Sequence, residues 1–196
     1  MRIVGGNHRG RRLWAPPGGA VRPTSDRARE ALFDILSHGR FAAAGSPFAG
    51  AAVLDAFAGT GAFGLEALSR GAAEAVFIER ERDALGALRH NIEALGETAR
   101  ARIVPGDATR PPRGTIACAL AFLDPPYASG LAVPALLALA AAGWLAAAAL
   151  AVIELGAREA PVRPDGFEIA DERVYGAARL LFLRRLPPFT APAGSG

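Results

Sequence analysis

From Ala52 onward the chain alternates short apolar runs with segments of helical periodicity, and this alternation restricts its fold more than any other feature. Strands are expected near 52–56, 75–79, 101–104, 117–123 and 149–154, with helices near 62–70, 81–95 and 131–141. Strands separated by helices imply parallel pairing through right-handed crossovers. Residues 167–174 and 178–185, parted by Tyr175 to Ala177, suggest a closing antiparallel hairpin. The reading is an α/β domain with a mostly parallel sheet.

The chain ahead of this alternation is of a different kind. Ile3 and Val4, then Arg11 to Trp14, flank a stretch holding Gly5, Gly6 and Gly10, which reads as a short hairpin arm carrying Arg9, Arg11 and Arg12. In RPTSDRAREALFDILS, Pro23, a Thr24 or Ser25 cap, Asp26 in the first turn and apolar Ala31, Leu32, Ile35 and Leu36 describe an amphipathic helix to about residue 38. The expected organisation is a basic arm over 1–22, a main domain over 23–186 and a frayed tail over 187–196.

All 22 basic side chains are arginine, a usage that also marks a GC-rich genome. Their placement is uneven: residues 1–29 carry seven Arg against one Asp, whereas the rest of the chain is net acidic. A basic end fits a polyanionic partner, because neutralised phosphates release counterions and steer encounter; a solvated basic tail is the bland alternative. Arg2, Arg9, Arg11, Arg12 and Arg22 are the candidate nucleic-acid contacts.

Other classes are disfavoured. His8, His38 and His90 form no ligand spacing, which argues against a metal site. The lone Cys118 sits in an apolar run and reads as a buried small hydrophobe in a reducing cytosol. MRIVGGNHRGRR lacks the apolar core of a secretory signal. Residues 125–153 are uncharged, but alanine dominates and Pro134 and Gly143 interrupt them, so a helix followed by a buried strand is expected rather than a membrane span. The expected location is the cytoplasm, the expected state a monomer.

VLDAFAGTGAFG, residues 53–64, places Gly59, Gly61 and Gly64 in G-x-G-x-x-G spacing between a strand and a helix. Such glycines allow a tight turn and close backbone approach to a nucleotide-like ligand, although a purely structural turn has the same spacing. The acids at the strand ends refine this. Glu79 closes the second strand, where a carboxylate can accept both hydroxyls of a ribose, and Asp55 closes the first. Asp55 would repel a pyrophosphate and attract a ligand carrying an ammonium and a sulfonium, which favours S-adenosylmethionine. Asp107, in PGDAT, is placed to accept from an adenine amino group or to serve only as a turn residue.

The fourth strand ends in LDPPY, so Asp124, Pro125, Pro126 and Tyr127 fall where open α/β sheets bind ligands. Proline fixes φ and removes the backbone donors at 125 and 126. The exocyclic amino group of a base is a poor nucleophile, since its lone pair is delocalised into the ring. The Asp124 carboxylate and the Pro125 carbonyl could accept its two N–H bonds, favour a pyramidal nitrogen and stabilise charge during methyl transfer. Tyr127 could stack on the base.

On these residues the chain resembles the DPPY-type amino methyltransferases, and most closely the bacterial 16S ribosomal RNA guanine-N2 methyltransferases of the RsmD family. RIVGGNHRGRRL, RPTSDRAREALF, LDAFAGTGAFGLEALSRGA, LDPPY, GWL and RVYGAARL carry the resemblance across nearly the whole chain. It implies a class I methyltransferase, Rossmann-like sheet of seven mostly parallel strands with helices on both faces, S-adenosylmethionine as donor, and a guanine of 16S rRNA or of the assembling small subunit as acceptor. By matching position it implies cofactor contacts from Asp55, Gly59 and Gly61 (methionine part), Glu79 (ribose) and Asp107 (adenine), with Phe57, Arg80 and Ala108 also in the cofactor site. Asp124 would border both cofactor and base, and Thr24 would bind the cofactor carboxylate at a helix start. An adenine-N6 enzyme, a protein glutamine-N5 enzyme and a noncatalytic RNA-binding assembly factor remain the alternatives. A nicotinamide oxidoreductase fits Asp55 poorly.

Overall fold

In the computed structural model, which describes residues 1–16 and 26–187, seven strands form one sheet. They are β1 (Ala52–Ala56), β2 (Glu74–Glu79), β3 (Ala101–Pro105), β4 (Cys118–Leu123), β5 (Leu145–Gly156), β6 (Phe167–Tyr175) and β7 (Ala178–Arg185), in the order β3-β2-β1-β4-β5-β7-β6. β3 to β5 pair in parallel, and β7 runs antiparallel to both β5 and β6. The helices are α1 (Asp26–Ser37), α2 (Ala62–Ser69), α3 (Arg82–Leu95) and α4 (Ala132–Ala141). The uncharged stretch thus resolves into α4 and most of β5. Among the described residues no helix is long and apolar enough to cross a membrane.

Strand periodicity of two divides the core. Val53, Ala75, Phe77, Leu120, Phe122 and Val152 pack with α1, α2 and α3, whereas Leu54, Val76, Ile78, Ala121, Leu123 and Ile153 pack with α4 and Trp144. Cys118 lies in the second core, and burial pushes its thiol up to about 12, with a smaller contribution from Glu74. It is an inert hydrophobe there.

The N-terminal arm is a short hairpin, bridged antiparallel between Arg2 and Arg12 around a 3-10 turn at Gly6–His8, with Ile3 N–H donating to Arg11 O at 2.9 Å and Leu13 N–H to Met1 O at 3.1 Å. It is docked on the domain: Ile3 and Leu13 are buried in the main core, each worth about 1.5–3 kcal/mol by area removed from water. One expectation needs adjustment: β5 begins at Leu145, four residues before the expected strand, and accommodates a bulge at which Ala148 takes φ 59°. Thr24, Arg22 and most of the tail lie outside the described residues.

Candidate active site

Parity along the parallel strands assembles the site. Asp55 follows Val53 on β1, Glu79 follows Phe77 on β2, and Asp124 lies two residues past Phe122 on β4, so all three carboxylates belong to the face covered by α1 to α3. Because β2, β1 and β4 are neighbours, these acids converge at the carboxyl end of the sheet. Glu154 occupies the equivalent position on β5.

The glycine loop is built around two of them. Asp55, 1% exposed, accepts the Gly64 N–H at 2.8 Å in the first turn of α2. Burial pushes its pKa well above the usual carboxylate range, opposed by the Gly64 N–H, and the negative charges of Asp124 and Glu79 push it further up. Glu79 accepts Gly59 N–H at 2.7 Å through Oε2, and Arg80 and Glu81 N–H at 2.7 and 2.8 Å through Oε1. A carboxylate has about four lone-pair positions, so Glu79 retains acceptor capacity beyond these three bonds. Gly61 takes φ 85°, and a Cβ at Gly64 would fall 2.3 Å from a Phe77 ring carbon; the last glycine therefore serves close packing of α2 on the sheet.

Strain marks both sides of the cleft. Phe57, between β1 and the glycine loop, takes φ 63°, and Ala128, directly after Tyr127, takes φ 56°. Non-glycine residues in this region cost about 1–2 kcal/mol each. Such residues gather where a loop is held for function.

At the tip, Asp124 is partly exposed, Pro125 is buried, and Pro126 and Tyr127 are exposed. Tyr127 donates its hydroxyl to Glu154 Oε1 at 2.6 Å, which fixes the ring at the rim. The Ala128 N–H and the Gly156 N–H both donate to Glu159 Oε1, at 3.2 and 2.8 Å, and tie the tip to the end of β5. The depression behind the tip, between Pro126, Leu131 and Leu155, holds only about 20 Å³.

Across the loop end of β3, Asp107 Oδ1 accepts from Thr109 N–H and Oγ1, both at 2.8 Å, and Oδ2 faces the Arg80 guanidinium at 3.5 Å. These Thr109 bonds, then Arg80 and Arg110, hold its pKa below the ordinary value. Asp107 is therefore a turn residue with acceptor capacity left on Oδ2. Ala108 is buried beside it.

A cationic, ribose-bearing cofactor fits this set. Two strand-end acids lie on the glycine loop, Asp55 is buried within a negative field that a positive ligand would relieve, and no group of three or more His, Cys, Asp or Glu among the described residues could hold a metal.

A family model described as conserved hypothetical protein 95 matches residues 1–184. The chain belongs to this family. Ribosomal RNA small subunit methyltransferase D of Escherichia coli strain K12 is 38% identical over 179 residues, which cover 90% of this chain and 85% of the relative. The relative of the same name from Haemophilus influenzae is 30% identical over 181 residues, covering 90% and 89%. A solved structure of an Escherichia coli protein named as a methyltransferase matches at 37% identity with a TM-score of 0.79, covering 95% of this chain and 98% of that one. The chain is thus a methyltransferase of the RsmD type, and its sheet is the class I methyltransferase sheet.

Four polar residues in and around the site were not singled out in the sequence: Glu66, Asn91, Glu97 and Glu154. Glu66, fully buried on α2, accepts Val4 N–H at 2.7 Å and Arg70 Nε–H at 2.8 Å. Buried Glu97 meets His8 Nε2 at 2.5 Å and Arg100 at 2.6 Å. Asn91, 2% exposed, joins Trp14 to the glycine loop by donating to Thr60 O at 3.0 Å. Glu154 could have been found from its strand-end position; the other three depend on the docked N-terminal loop.

Proposed function

We propose that this chain methylates N2 of a guanine in small-subunit ribosomal RNA, with S-adenosylmethionine as donor. The observation that carries the reading is that the Asp124-Pro-Pro-Tyr127 tip meets the glycine loop at one end and one face of the sheet, near enough for the Asp124 charge to reach Asp55. The relatives named as small-subunit ribosomal RNA methyltransferases support the RNA substrate.

In this reading Asp55, Phe57, Gly59 and Gly61 hold the methionine part, Glu79 and Arg80 the ribose, and Asp107 and Ala108 the adenine; Thr24 is assigned to the cofactor carboxylate. The bound cofactor supplies an electrophilic methyl carbon. Asp124 and the Pro125 carbonyl each accept one N–H of the guanine amino group, so its lone pair is freed from the ring and aimed at that carbon. The cofactor held by these residues would serve as methyl donor with its sulfur as the leaving group, and Asp124 would receive the surplus amine proton. Preorganised acceptors of this kind act where charge develops.

Tyr127, fixed through Glu154, offers its ring to a base that has left its stack. The RNA backbone is assigned to Arg2, Arg9, Arg11 and Arg12, all exposed on the N-terminal loop, together with Arg22. Mass spectrometry of small-subunit RNA from a strain lacking this gene tests the proposal: one guanine should lose a single N2 methyl group. An unchanged pattern, or a loss from adenine instead, would overturn it.

A further inference from the structure

Trp14 combines a fixed backbone with an open ring. Asn91 Oδ1 accepts its N–H at 2.8 Å and Asn91 Nδ2 donates to its carbonyl at 3.0 Å, yet the residue is 47% exposed. The indole meets His90 edge-on, with centroids 5.8 Å apart. It borders a cleft of about 680 Å³ whose floor is the outer face of α3, with Arg82, Asp83, Gly86 and Arg89 along it.

Two features of that floor have no partner among the described residues. Arg82 and Arg89 are exposed and make no ion pair among the described residues. Gly86 stands inside α3, exposed, and a Cβ there would meet nothing within 4 Å. Glycine is the poorest helix former after proline, and at this position it leaves the helix backbone open to the cleft where a side chain would otherwise stand.

We infer that this cleft is a stacking subsite for an unpaired nucleotide of the RNA substrate, with the base against Trp14 over Gly86 and the flanking phosphates on Arg82 and Arg89. Aromatic platforms beside cations are how proteins hold single strands. Asp83 tells against a bare phosphate as the sole ligand and can accept from a base amino group. A pinned backbone lowers the entropy lost when the ring is covered. The subsite lies beside the basic loop, and Asn91 links it to Thr60 of the glycine loop. The inference rests on the proposed RNA substrate, and extends it to a surface distinct from the tip that receives the target base.

The test is binding of a fluorescein-labelled, unstructured oligoribonucleotide of about 12 nucleotides, within the span such sites cover. Trp14→Ala should weaken binding about 5- to 150-fold, the range for losing one base-aromatic stack, and Trp14→Phe should recover most of it. Gly86→Leu, a better helix former that fills the cleft, should weaken RNA binding while its melting temperature holds or rises. Cofactor affinity by calorimetry should not change in any of them. If Trp14→Ala and Gly86→Leu both bind RNA as wild type does, the inference is overturned. If wild-type protein methylates small-subunit RNA while those variants bind it normally, only the subsite falls; if wild type does not methylate it, the proposed function falls.

Discussion

Asn91→Ala offers the sharpest test of how the N-terminal loop is tied to the glycine loop. Three hydrogen bonds vanish, from Trp14 N–H and to the carbonyls of Trp14 and Thr60. At about 1 kcal/mol net each the gross loss is about 3 kcal/mol. Alanine returns roughly 0.5 kcal/mol of helix propensity, and water reaches part of the Trp14 backbone once the amide is gone, which leaves about 2 kcal/mol. For a domain of this size that is a melting-temperature drop of roughly 4–8 °C. Asn91→Asp should be worse at neutral pH, since it keeps the acceptor for Trp14 N–H but turns a carboxylate oxygen toward two carbonyls. Acid should restore part of that loss, because the protonated carboxyl can donate once. Differential scanning calorimetry across pH, with titration of S-adenosylmethionine, reads all of this. An Asn91→Ala protein that melts within about 1 °C of wild type and binds cofactor equally well would refute the reasoning.

Asp55 gives a pH prediction whose sign follows from its raised pKa. A buried carboxyl that binds its proton more tightly when folded stabilises most below its unfolded pKa, and that contribution is lost as pH rises through the folded value. Asp55→Asn should therefore raise the melting temperature of the cofactor-free protein at neutral pH while weakening affinity for the cationic cofactor; a lower melting temperature at every pH would contradict this. In wild type, cofactor affinity should rise as pH increases through the raised folded pKa of Asp55, with proton release seen by calorimetry in buffers of different ionisation enthalpy. Gly64→Ala should cost about 1 kcal/mol, since overpacking against the fully buried Phe77 costs about 1–3 kcal/mol and helix propensity returns roughly 1 kcal/mol. Adding Phe77→Leu should recover part of the loss in a double-mutant cycle, and additivity of the two changes would refute the contact.

The sheet was legible because its strands are apolar runs whose ends carry acids, and in a parallel sheet strand ends are where sites form. Asp55, Glu79 and Asp124 could be brought together from sequence for that reason alone. The early start of β5 was hidden because alanine carries little strand signal, and the bulge at Ala148 breaks the alternation. The docking of the N-terminal hairpin was hidden because its glycines serve a non-local purpose: a Cβ at Gly6 would fall 1.9 Å from the Ser69 carbonyl oxygen, so the hairpin lies directly on the end of α2. Ser69 donates to Gly5 O and accepts from His8 N–H, and Glu66 accepts from Val4 N–H, pairings between residues some sixty positions apart that no local pattern shows.

The central claim is that Asp124 acts on the amino group of the base and not on cofactor retention. Single-turnover methylation of small-subunit RNA by Asp124→Ala, set beside its calorimetric affinity for S-adenosylmethionine, tests it most directly. The account predicts a rate at least about 10²- to 10³-fold below wild type, the scale for one lost preorganised charge partner, with cofactor affinity largely retained. Transfer at the wild-type rate would contradict it.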